Sequence, residues 1–325
     1  MARLFSLVLM YITVWFLVCG AASAGQPPAA DEELFERASE LWDRKQDKQA
    51  LQVFKELIKN YPTSKHVPDA YLAFGEYYFN QGNIEKALMA YKKVTAFKEA
   101  VVYPYAVYKS GWCYYNIHEF ERALKHFLLV VKHCDREQKK TGIEPELRRE
   151  ALKDIALVYS HAKGAEHAPD FIKHVAPDEA GEWLAKLGSM YYGAGKYKDA
   201  AIVYRHLLAG MKCSPEMLVL QKRILDCTAR LGARDKVVKE AGRLVALFGQ
   251  IKKCLRETSE SENEALSSVQ AESEGILRKL AVSTRSEARA TKDEKTLRHS
   301  RQLARYYLKL FSRHPQANVV RQVLY

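Results

Sequence analysis

The sequence predicts an all-α fold in which antiparallel helix pairs stack into a solenoid, preceded by an export signal. Three observations predict it. One pattern recurs in aligned register as Ala50, Phe54 and Leu57, then Ala87, Tyr91 and Val94, then Ala123, Phe127 and Val130, with the alanines 37 and 36 residues apart. The second and third copies follow a matching helix, Tyr71, Phe74, Gly75 and Tyr78 in one case and Val107, Ser110, Gly111 and Tyr114 in the other. A basic, apolar and small-residue series opens the chain. Repeats of this length built as two helices are the mark of a solenoid.

Residues 1–24 have the form of a secretory signal peptide. Met1-Ala2-Arg3 is a short basic start, Leu4 to Val18 an uncharged apolar run, and Ala22-Ser23-Ala24 a small-residue cleavage sequence,. Cleavage between Ala24 and Gly25 leaves a disordered lead over 25–32. Two alternatives stay open. The run from Leu4 to Ala24 is long enough to span a bilayer if it is retained, and Cys19 is a lipidation candidate, although Val18 stands where that motif wants a small residue.

Residues 33–135 are read as repeats 1–3. Apolar residues three and four apart share one helical face. Gly75 and Gly111 on the first helix, and Ala87 and Ala123 on the second, leave room for axes to cross at about 8–10 Å. Gly82 suits a left-handed cap, and Pro62 ends a second helix by withholding a backbone donor. A Leu or Tyr stripe alone would fit an ordinary helical bundle. Aligned Gly, Ala and turn positions select the repeat.

Over 145–250 the sequence predicts repeats 4–6. The fifth is clear at Leu184, Leu187, Gly188, Tyr191, Gly195, Ala200, Tyr204 and Leu207. Repeat 4 is degenerate, with helices expected over Glu150 to Tyr159 and Phe171 to Val175. Repeat 6 is degenerate too, with Gly232 as turn, Val237 in the alanine slot and Leu225 replacing the small residue. Residues 251–275 read as an acidic Ser/Glu-rich linker or exposed helix. Residues 276–325 read as a basic helical hairpin and an incomplete next repeat, so truncation of a longer repeat protein at Tyr325 is an expectation.

Chain-wide, 51 Lys and Arg face 39 Asp and Glu, a formal net charge of +12. From Ile276 to Tyr325 twelve cations face three acids. Such a surface can serve an acidic protein, an anionic membrane or nucleic acid. Export and the lack of a recognition motif disfavour nucleic acid, and alternating charges on a solvated helix face explain much of the excess.

Of six cysteines, Cys19 lies in the signal, leaving Cys113, Cys134, Cys213, Cys227 and Cys254. An oxidising compartment permits disulfides, while the odd number leaves a thiol over and no C-x-x-C pair occurs. Cys113 reads as core, and the other pairings stay open. His126 and His133 share a helical face without a completing ligand. Gly193-Ala194-Gly195-Lys196 lacks the strand and the Lys-Ser/Thr ending of a phosphate loop. No catalytic set, metal site or cofactor is predicted.

The pattern resembles the tetratricopeptide repeat. Tyr71, Phe74-Gly75, Tyr78, Ala87, Tyr91 and Val94 match that family's signature, except that Glu99 stands at its final proline. The resemblance implies a right-handed superhelix and a concave groove lined by first helices. The groove positions then fall on Leu72, Glu76, Phe79 and Asn80 in repeat 2 and on Tyr105, Tyr108, Trp112, Tyr115 and Asn116 in repeat 3. Gly75, Gly82, Ala87, Gly111, Ala123, Gly188, Gly195 and Ala200 define the repeat geometry. A subclass clamps terminal carboxylates, but the corresponding positions here are Phe35, Ser39, Ala73, Tyr105 and Lys109, of which only the last keeps a suitable charge.

Tyr61-Pro62-Thr63-Ser64 and Pro68-Asp69-Ala70-Tyr71 are similar to tetratricopeptide proteins of the bacterial cell envelope, including Tol-Pal-associated, outer-membrane-assembly and gliding-motility proteins. That resemblance implies a non-catalytic scaffold, periplasmic or outer-membrane associated, binding envelope proteins or peptides. The rivals are an inner-membrane-anchored adaptor whose basic end contacts the membrane surface, and the recognition arm of a longer enzyme. The oligomeric state is left open.

Overall fold

A computed structural model describes residues 30–254 and 260–325, with the side chains of 260–263 excepted. The signal peptide, its Ala24–Gly25 cleavage site and Cys19 lie outside the described residues. Among those described, regular structure is entirely α-helical. The chain divides into two compact units at Ala106 and Val107.

The first unit holds α1 (Ala30–Asp43), α2 (Asp47–Asn60), α3 (Val67–Asn80), α4 (Ile84–Val94) and the start of α5 (Tyr103–Asn116). Helix α1 begins inside the stretch expected as disordered lead, because Asp31, Glu32 and Glu33 occupy its first turn and complement the helix dipole,. Ala38, Ala50, Phe54, Leu57 and Ala70 form the dry core. Pro68 sits at the start of α3, where a missing backbone donor costs nothing,.

The second unit continues α5 and adds α6 (Phe120–Thr141), α7 (Glu146–Ala162), α8 (Ala168–Val175), α9 (Ala180–Gly193), α10 (Tyr197–Gly210), α11 (Glu216–Arg230), α12 (Arg234–Cys254), α13 (Glu260–Thr291), α14 (Glu294–Phe311) and α15 (Ala317–Arg321). Helix α6 outruns the expected end of repeat 3 and stops at Gly142, which takes φ +74°. The region expected as linker or exposed helix is helical on both sides of 255–259. It is not wholly exposed: Val269, Ser273 and Glu274 are buried because α13 packs on α11 and α14.

Glycine spacing explains the hairpin geometry. A Cβ placed at Gly111 would lie 2.8 Å from the Phe127 ring, one at Gly188 would lie 2.6 Å from the Tyr204 ring, and one at Gly75 would fall closer still to Tyr91. Each glycine precedes its aromatic by sixteen residues, so a single packing device recurs three times: the ring of a second helix seats on the bare backbone of the first. In repeat 6 the volumes are exchanged. Leu225 stands on the first helix and Ala241 sixteen residues later on the second, and both are fully buried, as volume-conserving swaps permit. The turns between paired helices repeat as well, with Gly82, Gly195 and Gly232 at φ between 72° and 74°. Lys45 and His118 take the left-handed conformation in repeats 1 and 3, and Lys292 does so between α13 and α14.

Candidate interaction face of the first helices

In the first unit α3 carries the predicted groove residues. Leu72 and Glu76 are buried, Phe79 is half-buried and Asn80 is exposed. The Tyr91 hydroxyl donates to Glu76 Oε1 at 2.5 Å, tying the seated ring to the helix that seats it. Tyr105 is half-buried. Burial, with the Glu76 charge nearby, pushes its hydroxyl above the ordinary tyrosine range.

In the second unit the first helices of successive pairs are joined by their side chains. Tyr108 on α5 is 9% exposed, and its hydroxyl donates to Asp154 Oδ2 on α7 at 2.7 Å. Burial drives the Asp154 carboxyl up to about 6 despite that donated bond, and neighbouring Glu150 adds to the rise. Two helix turns further, the Tyr115 hydroxyl lies 3.3 Å from His161 Nε2. Between them stands half-buried Trp112, edge-on to Tyr115 at 5.3 Å and to Phe127 at 6.0 Å. Asn116 is exposed and returns its amide to the Trp112 carbonyl at 2.8 Å.

Past α7 the stitching continues. Arg149 bonds Glu182 on α9 at 2.9 Å, and Arg223 on α11 bonds Ser189 on α9 at 3.2 Å. The Tyr192 hydroxyl donates to Asp226, which also holds Arg230 at 3.1 Å. The Arg230 guanidinium in turn covers the rings of Tyr192 and Tyr197 at 5.3 and 5.2 Å. Lys222 on α11 pairs with Glu272 on α13.

A buried ion network fixes α7 in this series. Arg148 is 9% exposed, with Nε 2.7 Å from Asp135 and Nη1 3.0 Å from Glu144 and 2.5 Å from Glu179. Glu179 also accepts from the indole of fully buried Trp183 at 3.0 Å. Three segments, the end of α6, the start of α7 and the entry to α9, therefore meet on one guanidinium. Its fork geometry suits several carboxylates at once.

Where α5 turns into α6 and α7 ends, a concavity of about 460 Å³ is lined by His118, Glu119, Phe120, Glu121, Arg122, His161 and Ala162. The Phe120 and His161 rings stack at 5.4 Å, and His118 meets Phe120 edge-on at 5.7 Å. The residues are apolar on their faces and polar at their tips, a combination suited to a surface that is partly wet. No group of three or more His, Cys, Asp or Glu is placed to hold a metal ion among the described residues.

Sequence reasoning located Tyr108, Trp112 and Tyr115 but missed their partners Asp154 and His161. Both pairs are separated by 46 residues, about ten more than the repeat period, because α6 runs on to Thr141. A scan at the repeat period passes over them.

Residues 34–64, which cover most of α1 and all of α2, match the family model of the tetratricopeptide repeat. No curated protein matches the sequence. Similar solved structures include a tetratricopeptide repeat protein from Parabacteroides merdae, 16% identical over 90% of this chain and 97% of that one, with a TM-score of 0.39. Another is the C-terminal part of a TPR repeat-containing protein from Cytophaga hutchinsonii, 13% identical over 88% and 98%, with a TM-score of 0.41. A third is pilF of Pseudomonas aeruginosa, 16% identical over 75% and 97%, with a TM-score of 0.35. Likenesses of this depth carry no argument about this chain. The family model covers the first repeat, and the glycine–aromatic seats at Gly75, Gly111 and Gly188 repeat one helix-pair packing after it.

Proposed function

We propose that the protein is a non-catalytic scaffold that holds peptide or helical segments of other exported proteins against its first-helix face. The repeat fold supports protein–protein interaction in general. The observation that carries the finer reading is the open concavity beside Tyr115, Phe120 and His161, whose rings are already fixed by stacking and hydrogen bonding. Side chains ordered before binding lose less entropy when a partner arrives.

Two features support an oxidising, exported setting, periplasmic or outer-membrane associated. One is the signal-peptide pattern of residues 1–24. The other is the disulfide between Cys213 and Cys254, both exposed; bonds of this kind persist outside the reducing cytosol. Among the described residues no helix is long and apolar enough to cross a membrane.

The test is a display selection of peptides on the processed chain, repeated with Tyr115→Ala/His161→Ala. The reading predicts that selected peptides lose the variant while its helical circular dichroism is unchanged. Equal binding to both proteins would move the interaction away from this face.

A further inference from the structure

The cations of the second unit fall into two classes. Arg148, Arg149, Arg205, Arg230, Arg234, Arg243 and Arg278 are each committed to a carboxylate. No described residue supplies an acid to Arg285 and Arg289 on α13, or to Arg298, Arg301 and Arg305 on α14. These two helices pack against each other as a hairpin, so one element carries both groups. Helix α14 has five cations and one acid, with Arg298, Arg301 and Arg305 at the three- and four-residue spacing that places them on one side.

Two of these arginines are more than solvated charges. The Nε atoms of Arg285 and Arg301 are buried and have no hydrogen-bond partner, while both residues as a whole are half-buried. In each, the Nε donor is covered without an acceptor. A buried donor to a charged acceptor is costly to leave unpaired, and the arginine fork accepts a planar oxyanion through two parallel bonds.

We infer that the α13–α14 hairpin is a second docking surface, which binds an acidic segment of a partner protein through carboxylates seated on Arg285 and Arg301. Charge complementarity selects that occupant. On this hairpin the five arginines outnumber Lys279, Lys292 and Lys309 among the cations without a carboxylate, which favours directional carboxylate recognition over the diffuse attraction of a membrane surface. A membrane-lying helix also needs a broad apolar face with large side chains. On this hairpin the exposed large hydrophobic is Val282, and the apolar residues of α14 at Leu303, Ala304, Tyr307 and Phe311 are buried in the core. The surface is separate from the concavity at the α5–α6 turn and the end of α7, so its test is independent of that reading.

The experiment measures binding of the full processed chain to a fluorescent peptide of glutamate and glycine at about 0.15 M salt, where long-range attraction is largely screened. Parallel arms use phosphatidylcholine vesicles containing phosphatidylserine and a single-stranded oligonucleotide. Three variants are compared: Arg285→Gln/Arg301→Gln, Arg285→Lys/Arg301→Lys, and Lys55→Gln/Lys59→Gln as a charge-matched control on exposed residues of α2. The inference predicts peptide binding that the Gln pair and the Lys pair both weaken by about tenfold or more, as expected when a charge-assisted fork is lost, with the control unchanged. Three outcomes would overturn it: wild-type affinity in the Lys pair, equal weakening by the control, or tighter binding to vesicles or oligonucleotide than to the peptide. Circular dichroism melts accompany each variant; should the Gln pair fail to fold, the Lys pair, which keeps the charge, decides the case.

Discussion

Gly75 and Tyr91 show how a single position sets the geometry of a pair. A methyl group at Gly75 would drive into the Tyr91 ring, which is itself fully buried and bonded to Glu76. Gly75→Ala should therefore destabilise the first unit by about 1–3 kcal/mol, the ordinary cost of overpacking, seen as a lower melting temperature that Tyr91→Leu in the same chain partly restores. An unchanged melt would contradict the seat. Asp154 makes the opposite kind of prediction. Its carboxyl is 4% exposed and titrates near 6 in the fold against 3.8 when unperturbed, chiefly through burial. Stability from this group is present in full below the unfolded value and is lost as pH rises through the folded one. Asp154→Asn, whose amide oxygen can still accept from Tyr108, should exceed the wild type by on the order of 2–3 kcal/mol at pH 8 and by little at pH 4. Urea unfolding at the two pH values checks this, and a gain independent of pH would contradict it. Tyr108 was read from the sequence as a groove residue. Its place in a buried bond to Asp154 was not legible there, because the partner lies outside the repeat period.

At the scale of elements, what could be read from the sequence was whatever kept the period. The glycine–aromatic seats of repeats 2, 3 and 5 stand at constant spacing and locate their helix pairs from sequence alone. Repeat 4 was blurred because α6 adds turns through Thr141 and the Arg148 network then sets the entry to α7 and α9. That network joins residues 13 and 31 positions apart, with no periodic mark. Repeat 6 hid its packing by exchanging volumes between Leu225 and Ala241. Cysteine pairing was equally illegible, since Cys213 precedes α11 and Cys254 ends α12, and only the folded hairpin brings them together. The bond closes 41 residues, so Cys254→Ser should cost about 2–4 kcal/mol in non-reducing buffer. The difference should vanish for wild type treated with reductant. Melting with and without reductant measures both, and a variant as stable as the oxidised wild type would contradict the pairing. The remaining thiols, Cys113, Cys134 and Cys227, are buried; burial raises Cys134 and Cys227 to about 11, so they should resist alkylation until the chain unfolds.

For the whole molecule, a repeat architecture separates stability from recognition. In such an architecture a hairpin's apolar face is taken up by packing on other hairpins, so the proposed recognition surfaces lie on side chains that stability does not use. The net charge and its concentration after Ile276 were plain in the sequence, but not the division between arginines paired with acids and those left open. The proposed function places partners on the first-helix face. That is tested by photocrosslinking in cells that produce the protein, with a reactive residue at Asn116, exposed on α5 beside Trp112, and separately at Lys132, exposed on α6. Binding on that face predicts a discrete protein adduct at position 116 that Tyr115→Ala/His161→Ala abolishes, with none at 132. Adducts at 132 alone, or adducts at 116 that survive the double substitution, would contradict it.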